Sequence, residues 1–166
     1  MAQQFVIRPV TPADVDVIAD HRTRMFHEMD PMPLERFEML REKSRERLRD
    51  FLASSEYVGW LASPAQLPNI IAGGAGVQLR NALPHPVSGA KKGIKIADGR
   101  HAVIINVFTE PEWRRQGVAG LLLKQILDWA HAEHLDRLVL HASDAGRALY
   151  ERYGFVMTNE MRFTGE

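Results

Sequence analysis

The stretch from Ala102 to Leu127 (AVIINVFTEPEWRRQGVAGLLLKQIL) constrains the fold more than any other. Ala102 to Thr109 carries Val, Ile or Phe at most positions. A run that is apolar on both faces suits a central strand covered from both sides. Glu110-Pro111 ends it, because proline has no N–H for a ladder. From about Gly117, Ala119, Leu122, Leu123, Ile126, Leu127 and Ala130 recur with the spacing of one apolar helix face. The chain must therefore place a buried strand, a sharp turn and a buried helix in immediate succession.

The turn itself, Arg114-Arg115-Gln116-Gly117-Val118-Ala119-Gly120, opens the helix without Ser, Thr, Asp or Asn at the N-cap. The first helical N–H groups need an acceptor from elsewhere. Small residues at 117, 119 and 120 admit a close approach, and two arginines precede them. Such an end is suited to an anion. The dipole contributes only about 0.3–1 kcal/mol per charge, so affinity must come from several N–H groups together. The plain alternative is a strand-to-helix turn with solvated arginines.

Two motifs decide the wider reading. Arg114-x-x-Gly117-x-Ala119 resembles the R/Q-x-x-G-x-G/A acyl-CoA pyrophosphate loop of the GNAT superfamily of N-acyltransferases. Downstream, Leu149-Tyr150-Glu151-Arg152-Tyr153-Gly154-Phe155 is similar to that superfamily's L-Y-x-x-x-G-F signature. The resemblance covers the second half of the chain, and the first half agrees in element order.

Composition bounds the alternatives. A chain of 166 residues, 45% apolar and 25% charged, is long enough for one domain with a substantial core. Net charge is zero, so no global basic field argues for nucleic acid. Cysteine is absent, which removes thiolate catalysis and thiolate metal sites and leaves the redox compartment open. The start MAQQFVIR has no signal-peptide pattern, and no apolar run has the length of a membrane span. A cytoplasmic enzyme is the expectation.

In chain order, Gln4 to Arg8 reads as a strand. Thr11-Pro12-Ala13-Asp14 starts a helix with a capping-box-like pair, and Val15, Ile18, Ala19, Arg22, Met25 and Phe26 follow at helical spacing. Asp30-Pro31-Met32-Pro33 breaks it. A second helix, about Leu34 to Ala53, offers Leu34, Phe37, Leu48, Phe51 and Leu52 to the core. Strands follow at Tyr57 to Ala62 and Ile70 to Arg80, the latter with Gly73, Gly74 and Gly76 permitting a bulge or close approach. Residues 81–99 read as a long linker, either a surface loop or a cover over the site mouth. Arg137 to His141 is a strand, Ala145 to Tyr153 a helix ended by Gly154, and Phe155 to Phe163 a last strand. The expected class is α/β (α+β): a mixed sheet flanked by helices in the order β-α-α-β-β-β-α-β-α-β, which is the GNAT order.

The resemblance implies acyl transfer from acetyl-CoA, the commonest donor of that family, directly to a primary amine through a tetrahedral intermediate. It implies that Asn106, Val107, Phe108 and Thr109 pair with the pantetheine arm, with an N–H near Val107 or Phe108 polarising the thioester carbonyl. It implies that Arg114, Arg115, Gln116, Gly117, Val118, Ala119 and Gly120 hold the pyrophosphate. Tyr150 stands where the family's general acid stands; Tyr153 is an equally aromatic neighbour, and either ring is also suited to fill a helix–sheet gap. For the base, Glu110 ends the organising strand but is equally a surface turn residue. Glu28 and Asp30 are candidates to attract a cationic amine, and His141 is a further candidate near the site; all three are equally ordinary solvated or structural groups. Ser143 replaces the family's usual Asn and Gly146 its usual Ala. Ser143 is either a cofactor contact or the N-cap of the fourth helix. Seven histidines without paired spacing give no metal site. The partners expected are an amine acceptor and, in a dimer, a second copy, with neither nucleic acid nor membrane. A non-catalytic acyl-CoA-binding module is the rival reading. A dinucleotide-binding domain fits worse, because the turn is not G-x-G-x-x-G and comes late in the chain.

Overall fold

The computed structural model describes residues 4–89, 93–158 and 160–165. Its elements are β1 (Phe5–Pro9), α1 (Val15–Met29), α2 (Leu34–Ala53), β2 (Tyr57–Pro64), β3 (Gly73–Asn81), β4 (His85–Gly89), β5 (Gly93–Ala97), β6 (Arg100–Thr109), α3 (Val118–Ala132), β7 (Arg137–Leu140) and α4 (Asp144–Arg152). Single 3-10 turns at Pro12–Asp14 and Pro111–Trp113 precede α1 and α3. Five strands form one sheet in the order β1-β2-β3-β6-β7. All neighbours run antiparallel except β6 and β7, which are parallel. This is the mixed sheet expected, with the organising strand β6 deep inside it.

Each face of the sheet meets helices with matching stripes. Under α3, Leu122, Leu123 and Ile126 are wholly buried against Trp60, Ala62, Val77 and Ile104. Each such aliphatic side chain stabilises the fold by about 1.5–3 kcal/mol. On the opposite face, Val15, Ile18 and Ala19 of α1 and Leu48 of α2 pack with Tyr57. The start of α1 is fixed as its sequence indicates: the Asp14 carboxylate accepts the Thr11 N–H at 2.8 Å and is held by Arg8 at 2.7 Å.

Three expectations need correction. Residues 81–99 are not an unstructured linker but contain the β4–β5 hairpin, with Val87 opposite Lys95 and Pro86 opposite Ile96. The alternation Ile94-Lys95-Ile96 carries strand preference, which the surrounding prolines and glycines mask. Leu34 is 75% exposed, because α2 buries only its C-terminal half through Ser44, Leu48, Phe51 and Leu52. The third concerns Phe155 to Phe163: among the described residues this segment forms no strand, and Val156, Met157, Met161 and Phe163 are exposed. A strand needs a partner, and β7, four residues long, offers few ladder positions.

Candidate active site

The site exists because β6 leaves its neighbours partway along. β6 and β7 pair only from His101 opposite Arg137 to Ile104 opposite Leu140. On the other side, the register with β3 shifts between Gly74 and Gly76: Gly76 faces Ile105, but Gly74 faces Phe108. Three steps on β6 thus answer two on β3, a β-bulge at the level of Asn106 and Val107. Asn106 takes φ 59°, a left-handed conformation that asparagine tolerates better than the valines and isoleucines around it. The glycines in β3 leave the room. A Cβ on Gly76 would stand 2.2 Å from the Tyr57 hydroxyl, so only glycine lets Tyr57 pass beneath the bulge.

Where β6 and β7 part, a cleft of about 1620 Å³ opens. Its walls include Asn106, Val107, Phe108 and Thr109 of β6, the turn residues Arg114, Arg115, Gly117, Val118, Ala119 and Gly120, and Ser143 and Tyr150 around α4. Gly117, at φ 87°, is the N-cap of α3 and supplies no side chain to the helix end. The first backbone bond closing the helix is Leu121 N–H to the Gly117 carbonyl at 3.0 Å, so the N–H groups of Val118, Ala119 and Gly120 have no carbonyl four residues back within the helix. Five arginines (Arg22, Arg80, Arg114, Arg115, Arg152) against two glutamates (Glu28, Glu151) line the walls, a field suited to a polyanion although the chain as a whole is neutral. The Gln116 side chain instead folds back, donating to the Glu112 carbonyl at 3.0 Å.

The two tyrosines of α4 and its end are now distinct. The Tyr153 hydroxyl donates to the Gly120 carbonyl at 3.0 Å and so ties the end of α4 to the start of α3. Tyr150 is half-buried in the cleft wall, its ring edge-on to Phe155 at 6.0 Å, and its hydroxyl has no hydrogen-bond partner among the described residues. Burial raises the Tyr150 phenol above its ordinary value, so it stays protonated at neutral pH. The Gly146 substitution has a local reason: a Cβ there would lie 3.1 Å from Tyr150 Cε2. Ser143 is the N-cap of α4, its Oγ accepting the Gly146 N–H at 3.2 Å.

The remaining candidates are dispersed. Glu110 lies outside the cleft walls, and both of its oxygens are held by Arg24 at 2.7 and 2.6 Å, with His21 Nε2 at 3.2 Å. Burial works to raise the Glu110 carboxyl, but the Arg24 guanidinium prevails and holds it below its ordinary range. Glu28 is in the wall but accepts from Arg114 at 2.7 Å. Asp30, the exposed C-cap of α1, is not in the wall. His141 is in the wall, largely exposed, with Glu160 at 3.6 Å. Among the described residues, the β4–β5 hairpin contributes none to the wall. Arg22, which sequence reasoning passed over, lines the cleft and donates to Asn106 Oδ1 at 2.7 Å. Its signal was a charged residue on the otherwise apolar stripe of α1.

Over residues 22–155 the sequence matches the family described as the acetyltransferase (GNAT) family. The chain belongs to the GNAT acetyltransferase family. Solved structures agree with this fold. A GCN5-related N-acetyltransferase from Ralstonia eutropha JMP134 superposes with TM-score 0.80 at 24% identity, covering 96% of this chain and 97% of that one. A predicted acetyltransferase from Clostridium acetobutylicum, solved with acetyl-CoA, gives TM-score 0.79 at 23% identity over 98% and 96%. An aminoglycoside N-acetyltransferase in complex with CoA gives 0.66 at 15% identity over 100% and 97%. No curated protein sequence matches the chain significantly. Among the described residues, this GNAT acyltransferase has no group of three or more metal-ligating side chains and no helix long and apolar enough to cross a membrane.

Proposed function

We propose that the protein acts as a single GNAT unit that transfers acetyl from acetyl-CoA directly to a primary amine. The observation that carries this is the cleft between β6 and β7, which joins an uncapped, arginine-flanked helix start to a tyrosine with a free hydroxyl. The donor set fits the cofactor: Arg114, Arg115 and the N–H groups of residues 118–120 face the same cleft. They would hold the pyrophosphate, while the unpaired edge of β6 from Asn106 to Thr109 would take the pantetheine amides as a further strand does. A backbone N–H near Val107 would stabilise the oxyanion as the amine adds to the thioester carbon. Tyr150 would give its proton to the departing thiolate when the C–S bond breaks. Glu110 enters as a positioning carboxylate behind Phe108, since Arg24 occupies both of its oxygens. The amine proton then leaves to water in the open cleft.

Thermal unfolding with acetyl-CoA, against ATP and NAD controls, tests the donor. Saturation at 100 times Kd stabilises by about 2.7 kcal/mol, a rise of about 5–10 °C for a domain of this size. A rise with acetyl-CoA alone, together with thiol release on adding amines, supports the reading. A rise without thiol release from any amine favours a non-catalytic acyl-CoA-binding module. No rise at millimolar acetyl-CoA overturns the donor assignment.

A further inference from the structure

Arg22 is one of the cleft's cations that no carboxylate pairs among the described residues, and a buried side chain holds it in place. Its guanidinium is half-buried and makes one hydrogen bond, from Nη1 to the neutral Oδ1 of Asn106 at 2.7 Å, while it stacks over Phe26 at 4.8 Å. Among the described residues no carboxylate lies within ion-pair distance of it. Other arginines nearby differ: Arg114, in the same wall, is clamped by Glu28, and Arg24, outside the wall on the same helix, by Glu110. A partly desolvated cation without a counter-charge is costly, and a protein that could pair it and does not has left a binding function open. The position is held on purpose by the fold. Asn106 is 3% exposed at the bulge, and Tyr57 packs beneath it with its phenol pushed by burial up to about 12, so no ionised phenolate supplies the missing charge.

The site is not the donor's phosphate site. Glu28, which Arg114 holds, stands six residues further along α1, about 9 Å at 1.5 Å per residue. The wall around Arg22 comes from α1 and β3, with Phe26, Met25, Gln78 and Arg80, whereas Arg114 and Arg115 belong to the turn before α3. Arg80 adds a second cation without a carboxylate partner among the described residues. We infer that Arg22 is a specificity-determining residue that binds an anionic group, carboxylate or phosphate, carried by the acceptor amine. The acceptors are thus small amines of the amino-acid or amino-phosphate class, and polyamines and neutral amines are poor ones. The inference rests on the acetyl-transfer reading above.

The test is a thiol-release assay at saturating acetyl-CoA with the twenty amino acids, their carboxamides, phosphoethanolamine, ethanolamine and spermidine. The expected result is that the best acceptor is anionic and that neutralising its anion lowers kcat/KM about 10- to 100-fold, the range for a lost charge-assisted hydrogen bond. A carboxylate optimum and a phosphate optimum identify the two sources. Arg22→Gln, which removes the charge and keeps a polar side chain, should raise KM for the anionic acceptor by a similar factor, leave its neutral counterpart within about threefold, and leave the acetyl-CoA thermal shift in place. Arg22→Lys should restore part of the preference. The wild-type comparison of acid with amide needs no variant and survives a variant that fails to fold. Equal use of acids and amides, no turnover of any anionic amine, or an Arg22→Gln effect on acetyl-CoA alone overturns the inference. Failure of acetyl-CoA to bind the wild-type protein brings down the donor reading first, and so separates the two.

Discussion

Tyr150→Phe isolates one proton from everything else the ring does. The phenylalanine ring keeps the edge-on contact with Phe155 and the packing of the cleft wall. The hydroxyl removed has no hydrogen-bond partner among the described residues, so folding should change by less than about 0.5 kcal/mol, or about 2 °C in Tm. Loss of general acid catalysis costs about 10²–10⁴-fold in kcat, which corresponds to about 3–5 kcal/mol in the barrier. KM for acetyl-CoA should stay within about twofold, because this group acts in the transition state only. The pH profile adds a second readout. The acid must be protonated to act, and burial raises its pKa above the ordinary phenol value, so the wild-type kcat should hold through the ordinary phenol range and fall only above it. The variant should lack that limb. Tyr153→Phe is the internal comparison: it loses the bond to the Gly120 carbonyl, costs about 0.5–1.5 kcal/mol of stability, and leaves kcat nearly intact. Steady-state thiol release with stability measured alongside decides the matter. Full kcat in Tyr150→Phe, or a larger kcat loss in Tyr153→Phe, refutes the reasoning.

Two further outcomes follow from other ion pairs. The hydrogen bond from Arg8 holds the Asp14 carboxyl at about 2 against the opposing effect of burial, and Thr11 assists. Lowering a carboxyl from about 3.9 to about 2 is worth up to about 2.5 kcal/mol, reduced to about 1–2 because Arg8 is 45% exposed. This stabilisation is complete above pH 4 and is lost as pH falls to 2, so urea unfolding of wild type and Asp14→Asn should differ at pH 7 and converge near pH 2; a constant difference would contradict the assignment. Glu28→Gln frees Arg114 from an exposed pair worth about 0.2–1 kcal/mol and removes a negative charge from the donor side. Acetyl-CoA should bind about two- to fivefold more tightly at low salt, with the gain shrinking at high salt, as titration calorimetry would show.

The β6–turn–α3 unit was legible because each boundary has a local cause: a continuous apolar run, a proline that cannot pair, a helix start without a cap. The glycines at 73, 74 and 76 likewise pointed to a bulge or close approach: a Cβ would meet the Phe108 carbonyl at 73, Leu61 at 74 and Tyr57 at 76. Tertiary facts were not legible. Tyr150 and Tyr153 are chemically equal, and although the spacing of the L-Y-x-x-x-G-F resemblance picks Tyr150, nothing local shows that the Gly120 carbonyl engages Tyr153. Leu34 carries the right side chain at the right spacing, but the N-terminal half of α2 stays largely exposed. The segment after Gly154 has strand residues and finds no edge, whereas Ile94 and Ile96 pair despite their exposure because β4 lies beside them. Glu110 is held by an arginine 86 residues away, a pairing that no local pattern encodes.

Asn106 connects the two halves of the proposed reaction. Its left-handed backbone breaks the ladder where the cleft opens, while its side-chain oxygen holds Arg22, a cation with no carboxylate partner among the described residues. Valine or isoleucine at 106 would resist the backbone conformation and offer Arg22 no side-chain acceptor, so both consequences would fail together. The proposed thioester site and the proposed anchor for the acceptor therefore share a single distortion of the strand. The distance between them does not depend on a flexible loop, and the amine of an acceptor held at Arg22 would arrive at a fixed place along β6. Such positioning is the part of acyl transfer in which effective concentration contributes most, and here it follows from one asparagine in a strand of valines and isoleucines.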